Sequence, residues 1–483
     1  GNLHFAQNGA YSTTDLTVNT GGAAQLDSNA HITSGGVADI EGELNVALGG
    51  TTPKITADTA TLGAGSTLDV SGFSSVTATK ASDLNGTRTV ILQTTNGITG
   101  DFGTVTGVTG SNVDYYFNDA KLSADGKNYS LGSELAWTSG TSQATGNFTL
   151  ADAGDAFDVD VALGDETANG TTWDGTSLTK LGAGNLTLSK TNTFTGSTDI
   201  EAGTLTTGIA NAFATSSAVN VASGATLALN NFSQTAQDLT GAGAVTLGTG
   251  TLTAQNNNDT GFDGTITGAG GVTKTGTGTL SLSSTGNSIG AAEVEAGILH
   301  LTQNGTFSAA SLLVDTGATA QLDSTSQVAT TGNSTVNGTL DVTLGGTGPM
   351  LTASDASLGS GSVLNVSGFT PVSATKASDL NGTGAVIIQT TGGIDGDFSS
   401  VTGITPSGVD YIINGASKST DGNSYSVGSL LTWNAGTTRA NGDFTLTNAG
   451  DAFDVDVALA DQAASSSGWD GASLTKLGAG NLT

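Results

Sequence analysis

A long tandem repeat constrains the fold of this chain more than any other feature of its sequence. Residues 1–187 align with residues 297–483 at a constant interval of 296 residues, without an insertion or a deletion. A repeat of this length predicts a repeated structure in which each unit packs on its neighbours. We therefore divide the chain into a first tandem unit, residues 1–296, and a partial second unit, residues 297–483.

The repeat includes segments with no evident chemical role. The decapeptide ATKASDLNGT stands at Ala78–Thr87 and returns at Ala374–Thr383. The chain starts without methionine, and its last residues, KLGAGNLT, reproduce the start of an earlier motif, KLGAGNLTLSK. We expect the chain to be a segment of a longer tandem array.

Short alternating runs identify the secondary structure. Apolar and polar residues alternate in TLDVSGF, FDVDVAL and LTLS, which is the pattern of β-strands with one buried face. Charged residues make up 11% of the chain, well below the ~25% of an ordinary globular domain, and helical spacing of apolar residues is nearly absent. We therefore predict an all-β chain of short strands joined by Gly, Asn and Asp turns.

A shorter motif recurs inside the first unit. LTKLGAGNLTLSKTNTFTGSTDIEAGTL, Leu178–Leu205, aligns with VTKTGTGTLSLSSTGNSIGAAEVEAGIL, Val272–Leu299, and a third copy begins at Leu474. Short apolar strands alternate with Gly or Asn corners, which predicts coils that stack into a parallel β-helix around an apolar interior. The motif residues are Lys180, Gly182, Gly184, Asn192, Phe194 and Gly196 in the first copy, Lys274, Gly276 and Gly278 in the second, and Lys476 in the third.

The glycines and lysines of this motif have structural interpretations. The glycine pairs are predicted to form turns, because neither a following helix nor the Lys-Ser/Thr of a phosphate-binding loop accompanies them. We expect the lysines to lie at edges or corners of the coil and to satisfy backbone carbonyl groups there.

The motif closely resembles the autotransporter-associated β-strand repeat, which occurs in passenger domains of type V secreted proteins of Gram-negative bacteria. The resemblance rests on LTKLGAGNLTLSKTNTFTG followed by EAGTL, and the second copy departs from it at Gly286–Ile289. The segment from Lys80 to Trp173 also resembles sequence that precedes such repeats. The resemblance implies a right-handed parallel β-helix, display on the bacterial surface through an outer-membrane barrel absent from this segment, and a role in adhesion.

One region of the first unit does not fit the pattern of coils. We assign residues 1–83 and 166–296 to β-helix coils and residues 84–165 to an excursion from the helix, with one such excursion in each unit. This small β-subdomain is expected either to pack against the side of the helix or to act as a spacer or contact point.

The excursion contains the sequence signal of an antiparallel β-hairpin. Asp125-Gly126 separates two alternating runs, and the second unit keeps the dipeptide as Asp421-Gly422. Both residue types accept the positive φ of a type I′ turn, so we predict this turn at the hairpin tip.

The charge of the chain limits its partners. The net charge is −30, with 42 acidic and 12 basic side chains, which argues against nucleic acid and anionic membrane surfaces. No direct membrane insertion is expected. The complete lack of cysteine suits a protein that is exported unfolded.

The densest acidic run has two interpretations. In DAGDAFDVDVALGDE and its second copy, outward carboxylates could hold calcium, or they could form a solvated face that blocks edge pairing. The run lacks the spacing of an EF-hand loop or a calcium-binding β-roll, and we favour the solvated face and expect no cofactor. The candidate ligands are Asp155, Asp158, Asp160, Asp451, Asp454 and Asp456.

An enzyme is the least favoured functional class, although some parallel β-helices degrade polysaccharides. The two arginines, Arg88 and Arg439, are replaced by Gly384 and Gln143 in the other copies, whereas a repeated active site would keep them. His4 and its equivalent His300 have no evident acid or nucleophile nearby in sequence. No pair of carboxylates is singled out for glycoside hydrolysis.

Stacked coils bring like residues into rows about 4.8 Å apart, so outward Thr and Asn side chains form polar stripes. Such stripes predict self-association between cells, biofilm formation or attachment to a host or matrix surface through many weak contacts, or they serve only to keep the coils soluble. The alternatives are a stalk that projects an adhesive tip and, less favoured, a polysaccharide-degrading enzyme.

Overall fold

The computed structural model describes residues 1–6, 9–50, 52–84, 86, 88–167, 172–382, 384–434, 440–463 and 468–483. These residues form two compact units, Gly1–Ser216 and Ser217–Thr483. Almost all of the regular structure is β-strand, with two short 3₁₀ segments, Ala81–Leu84 and Ala377–Leu380. Among the described residues, no helix combines the length and the apolar character needed to cross a membrane.

The first unit opens with a stack of coils, each made of three short strands. The strands are β1 (Asn2–Phe5), β2 (Ala10–Thr13), β3 (Leu16–Val18), β4 (Ala23–Leu26), β5 (His31–Ser34), β6 (Val37–Ile40), β7 (Glu43–Ala47), β8 (Ile55–Ala57), β9 (Thr59–Leu62), β10 (Thr67–Ser71), β11 (Thr89–Thr94), β12 (Ile98–Gly100) and β13 (Thr104–Thr106).

The strands of this stack pair in parallel along three faces. Face one is β1-β4-β7-β10-β13, face two is β2-β5-β8-β11 and face three is β3-β6-β9-β12. Alternate side chains point inward, so that Leu26, Leu44 and Leu68 are completely buried in one core. The all-β parallel solenoid predicted from the alternating runs is therefore confirmed.

An antiparallel hairpin follows the stack. Its strands, β14 (Tyr116–Leu122) and β15 (Asn128–Leu135), pair with each other, and β15 also pairs antiparallel with β11. The predicted antiparallel excursion from the parallel helix is therefore confirmed, and the hairpin joins face two through β15.

The tip of the hairpin differs from the predicted type I′ turn. Gly126 has a φ of 68°, but Asp125 lacks a positive φ. Gly126 N donates to Ser123 O at 2.9 Å, and Asp125 accepts hydrogen bonds from the Ser123 hydroxyl at 2.5 Å and from Lys127 N at 3.1 Å. The longer loop replaces the two-residue turn because the Asp125 carboxylate closes it from inside. In the second unit, Gly422 has a φ of 73° and the Asp421 carboxylate holds the loop in the same way.

The compact unit Gly1–Ser216 ends with six further strands in parallel pairs, β16-β18-β20 and β17-β19-β21. They are β16 (Asn147–Thr149), β17 (Ala156–Val159), β18 (Leu178–Leu181), β19 (Asn185–Leu188), β20 (Thr198–Ile200) and β21 (Thr204–Thr207).

The compact unit Ser217–Thr483 contains the remaining strands. They are β22 (Val219–Val221), β23 (Thr226–Ala228), β24 (Gln234–Gln237), β25 (Thr240–Gly241), β26 (Ala244–Thr246), β27 (Leu252–Gln255), β28 (Thr260–Phe262), β29 (Thr265–Thr267), β30 (Val272–Thr275), β31 (Thr279–Leu282), β32 (Ser288–Val294), β33 (Ile298–Leu301), β34 (Gly305–Val314), β35 (Thr319–Leu322), β36 (Ser326–Thr330), β37 (Asn333–Val336), β38 (Thr339–Thr343), β39 (Leu351–Leu358), β40 (Val363–Ser367), β41 (Ala385–Gly396), β42 (Ser400–Thr402), β43 (Ile412–Lys418), β44 (Ser424–Leu431), β45 (Asp443–Thr445), β46 (Ala452–Phe453), β47 (Thr475–Leu477) and β48 (Asn481–Leu482).

The second tandem unit, residues 297–483, builds the same coils as the first tandem unit with one difference at a corner. Strands β34, β39 and β41 run continuously from face two into face three, where the first unit has separate strands. The hairpin β43–β44 again pairs antiparallel with β41. The repeated sequence therefore gives a repeated fold, and the corner between these two faces tolerates either arrangement.

Candidate functional site

The lysine of the short motif lies inside the coil. Lys180 is completely buried, and its ammonium donates to Leu181 O at 2.8 Å, Gly182 O at 2.7 Å and Ala202 O at 3.0 Å. Burial lowers the pKa of Lys180 to about 8. The ammonium thus ties a corner of one coil to the carbonyl of the next, and its partners are the carbonyl groups predicted from the sequence.

Lys274, in the second copy of the short motif, repeats this arrangement. It is completely buried and donates to Thr275 O at 2.7 Å, Gly276 O at 3.0 Å and Ala296 O at 3.2 Å. In the third copy, Lys476 donates to Gly478 O at 2.6 Å and is exposed.

The glycines of the motif allow the backbones of neighbouring coils to approach each other. Gly182 has a φ of 74°, and a Cβ at this position would lie 2.1 Å from Leu150 O. Gly276 has a φ of 76°, and its Cβ would lie 2.4 Å from Asn256 O. The second glycine of each pair, Gly184 or Gly278, has an ordinary φ but is equally crowded by backbone.

A buried lysine outside the motif was not predicted from the sequence. Lys54 is completely buried, its ammonium contacts Asp27 O and Ser28 O, and burial lowers its pKa. Its equivalent in the second unit is Met350, which is also buried. Lys54 lies outside the repeated short motif, so the sequence did not indicate that its side chain is buried.

The corner Asn192-Thr-Phe-Thr-Gly196 is held by an internal asparagine. Asn192 is buried, accepts a hydrogen bond from Leu163 N at 2.8 Å and donates to Ala212 O at 2.8 Å. Phe194 is completely buried, and its ring centroid lies 5.2 Å from that of Trp137.

The second copy keeps this corner with a shift of one residue. Asn287, not Gly286, is buried there and accepts from Ile266 N at 2.8 Å, and Ile289 is the buried apolar residue two positions later. The departure at Gly286–Ile289 is therefore a local displacement of the same corner, which the gapless alignment concealed.

The acidic run serves contacts within the chain. Asp160 accepts hydrogen bonds from Ser82 N at 2.7 Å and from the Ser82 hydroxyl at 2.5 Å. Asp456 receives the same two bonds from Ser378, and these hydrogen bonds hold its pKa below the ordinary value. The repeated decapeptide thus docks on the repeated FDVD strand, where the backbones of Lys80 and Asp158 form an isolated parallel β-bridge.

Three other carboxylates of this run also accept hydrogen bonds from within the chain. Asp155 accepts from Asp152 N at 2.9 Å, Asp451 accepts from Asn448 N at 2.8 Å, and Asp454 accepts from the Thr483 hydroxyl at 3.2 Å. Within the described ranges, no group of three or more His, Asp or Glu side chains is placed to hold a metal ion.

His4 and His300 each lie beside an aspartate that is distant in sequence. His4 Nε2 lies 2.9 Å from Asp27 Oδ1, and His300 Nε2 lies 2.9 Å from Asp323 Oδ1. Each pair joins neighbouring coils. Arg439 lies outside the described residues, and Arg88 belongs to the hairpin region.

The outward residues of face one form a continuous polar row, which we call the face-one ladder. In the first unit, its ends are exposed and its middle is half-buried. The Thr106 hydroxyl donates to Asp69 Oδ1 at 2.5 Å. The ladder consists of His4, Gln25, Asn45, Asp69 and Thr106 in successive parallel register.

The second unit has a matching ladder with one exchange. Asp341 and Asn365 stand where the first unit has Asn45 and Asp69, so the amide and the carboxylate have swapped places. Asn365 Nδ2 donates to Asp341 Oδ1 at 3.1 Å, and the Thr402 hydroxyl donates to Asn365 Oδ1 at 2.7 Å. The second ladder consists of His300, Gln321, Asp341, Asn365 and Thr402.

Each of the other two faces loses a polar side chain from an outward row in the second tandem unit. On face two, Thr33 corresponds to Ala329, and on face three Thr17 corresponds to Leu313. The face-one ladder keeps a polar side chain at every position, so it is the outer surface with the most uniform chemistry of the three.

Two comparisons with known proteins bear on this arrangement. Residues 178–206 and 272–301 match the family Passenger-associated-transport-repeat. The chain is also 40% identical over 201 residues to the Adhesin BmaC autotransporter of Brucella suis biovar 1 (strain 1330). That alignment covers 41% of this chain and 6% of the relative, so the chain matches a small part of the relative's length.

Proposed function

On the premise that this chain is passenger sequence of the autotransporter adhesin type, we propose that it is displayed at the cell surface and mediates self-association between cells. The face-one ladder carries the proposal, because it is a long polar row with donors and acceptors at each coil. Each contact would contribute only ~0.5–1.5 kcal/mol, but a row of them acts together.

The order of amide and carboxylate in the ladder favours one orientation of the partner. When two first-unit ladders meet antiparallel, Asn45 of one molecule faces Asp69 of the other, and Gln25 faces Thr106. In a parallel meeting, Asp69 would face Asp69, and like charges repel. Molecules that extend from facing cells meet antiparallel, so the ladder fits contact between cells better than contact within one cell surface.

The exchanged order of amide and carboxylate in the second ladder determines which ladders can pair. An antiparallel meeting of a first-unit ladder with a second-unit ladder places Asp69 against Asp341 and Asn45 against Asn365. Each ladder is therefore complementary to its own kind, which suppresses the mismatched register.

Mixing experiments with two variants of the ladder order test this proposal. Asp341→Asn with Asn365→Asp gives both ladders the first-unit order, and Asn45→Asp with Asp69→Asn gives both ladders the second-unit order, so each variant keeps the composition and the net charge. Beads coated with either variant should aggregate with their own kind, and wild-type beads should also aggregate. A mixture of the two variants should form separate clumps, because each carboxylate of one variant then faces a carboxylate of the other. Mixed clumps, or no aggregation of wild-type beads, would contradict antiparallel pairing of the ladder.

A stalk that projects an adhesive tip is the second candidate. The family-matched residues favour it, since Lys180, Asn192 and Phe194 all point inward and build the coil. Cells that display only this array separate the two functions: aggregation supports the ladder, and dispersed cells with a full-length displayed array support the stalk. Attachment to a coated host or matrix surface is measured in the same cells.

A further inference from the structure

Four charged side chains form a cluster on the hairpin of the first unit. Arg88 Nη1 lies 2.6 Å from Asp119 Oδ1 and 3.8 Å from Glu134 Oε2, and the Lys121 ammonium also contacts Glu134. Arg88 further donates to Ser130 through Nε at 3.1 Å and Nη2 at 3.0 Å. We call Arg88, Asp119, Lys121 and Glu134 the hairpin cluster.

The second unit lacks all four charges. The equivalent residues are Gly384, Gly415, Ser417 and Leu430. A coordinated loss is expected for paired charges, because removing one partner leaves the other unpaired. This argument does not explain why the first unit contains all four charged residues of the hairpin cluster.

Folding of the hairpin does not supply this explanation. Without the charges, β43 and β44 pair over the same positions as β14 and β15, and both hairpins join the preceding strand with the same bulged register. The tyrosine that anchors the sheet is buried in both units, as Tyr129 and Tyr425. The second unit is thus a natural variant that folds without the hairpin cluster.

The cluster borders a cavity of about 410 Å³. Arg88, Lys121, Glu134 and Glu166 are the charged residues of its lining. The volume falls in the ~300–1,000 Å³ range of small-molecule sites, and such sites combine an apolar wall with a few converging polar groups. The apolar part of the wall includes Leu84, Leu135, Val161 and Leu163.

The chemistry of the wall selects the ligand. Two carboxylates disfavour an anion, and two cationic side chains disfavour a cation. A hydroxyl group suits both, because it donates to a carboxylate and accepts from an ammonium or guanidinium. Lys121 is 44% exposed and has three N–H groups, so hydrogen-bonding capacity remains beyond its contact with Glu134. Sugar rings also present C–H faces that pack on apolar side chains.

We propose that this cavity binds a neutral saccharide. The hairpin cluster supplies hydrogen bonds to adjacent hydroxyl groups, and the leucine and valine side chains support the ring. This binding function is independent of the face-one ladder, and it would give the first unit a ligand that the second unit does not share.

The second unit supplies the variant for the test. Arg88→Gly, Asp119→Gly, Lys121→Ser and Glu134→Leu together convert the cluster to the residues found there. The purified wild-type chain is screened on an array of neutral and acidic oligosaccharides, and the strongest binders are titrated by NMR saturation transfer. We expect neutral saccharides to bind and the fourfold variant to lose at least tenfold in affinity.

Two controls keep the outcome decisive. The fourfold variant should keep the circular dichroism spectrum and the bead aggregation of the wild type, because neither depends on the cavity. Lys190→Ser removes an exposed charge elsewhere and should bind as the wild type does. The proposal is overturned if no neutral saccharide binds, if only acidic ones bind, or if the folded fourfold variant binds with unchanged affinity.

Discussion

The buried ammonium group of Lys180 connects two coils. Its removal shows how much this connection contributes to the free energy of local opening. We expect Lys180→Met to lower the free energy of local opening by about 2–3 kcal/mol, because three carbonyl groups lose a charged donor. Native-state hydrogen exchange at the neighbouring amides measures this change. Lys190→Met is the matched control, since Lys190 is exposed, and it should leave the exchange rates nearly unaltered. Equal effects of the two variants would contradict the role of Lys180.

Substitution of two glycines with similar φ angles distinguishes the cost of backbone strain from the cost of steric crowding. Gly126 has a φ of 68° with open space around it, whereas Gly182 has a φ of 74° and faces Leu150 O. Gly126→Ala should cost ~1–2 kcal/mol, the strain of a left-handed residue. Gly182→Ala should cost roughly 3 kcal/mol more, because a Cβ 2.1 Å from a carbonyl oxygen forces the coils apart. Hydrogen exchange at each turn gives the two values, and similar values would show that crowding is relieved without cost.

Sequence reasoning recovered the residues whose role depends on their immediate neighbours. Gly182 follows from turn chemistry, and the carbonyl partners of Lys180 follow from its place beside a turn. Lys54 and the Asp27 partner of His4 were missed, because their contacts come from the next coil. The position of Asn287 was also missed, since a one-residue shift at a corner is invisible in an alignment without gaps.

At the scale of elements, strand alternation predicted the parallel coils and the Asp-Gly dipeptide predicted a hairpin. The docking of Ser82 on Asp160 spans 78 residues, and no local pattern signals such a contact. The repeated decapeptide therefore had no explanation until its partner strand was known. The turn type was wrong because the Asp125 carboxylate competes with the backbone for the hydrogen bonds that define the loop.

A buried tyrosine makes the stability of the hairpin sheet decrease at high pH. Tyr129 is 1% exposed, and burial together with the hydrogen bond to Asp101 Oδ1 at 2.7 Å raises its pKa above 10.0. An unfolded tyrosine releases its proton near pH ~10, while the folded one keeps it. The unfolded state therefore binds fewer protons above this pH, and the free energy of unfolding falls as the pH rises.

Replacement of this tyrosine and its second-unit equivalent isolates the effect. The Tyr129→Phe, Tyr425→Phe variant should be less stable than the wild type at pH 8, because Asp101 and Asp397 each lose a donor. Its thermal midpoint should fall less steeply than that of the wild type above pH 10. Circular dichroism melts across this range test the difference, and parallel slopes would rule out a contribution from the two phenols.

At the scale of the whole molecule, self-association must overcome a net charge of −30. Repulsion between two such chains acts over ~30 Å at 0.01 M salt but only over ~8 Å at 0.15 M. The amide–carboxylate contacts of the face-one ladder act at hydrogen-bond distance, where salt screens them less. We therefore expect wild-type bead aggregation to accelerate as salt rises from 0.01 to ~0.15 M.

The matched variant replaces the amides of both ladders by carboxylates. Asn45→Asp with Asn365→Asp adds two negative charges and places carboxylate against carboxylate in the antiparallel register that pairs the wild-type ladders. Because these groups would meet within a few ångströms, well inside the ~8 Å screening length, added salt should not restore aggregation. Turbidity of coated beads across the salt series follows both proteins. Aggregation of the wild type that slows with salt would indicate attraction between oppositely charged surfaces, and full rescue of the variant by salt would locate the adhesive contact away from face one.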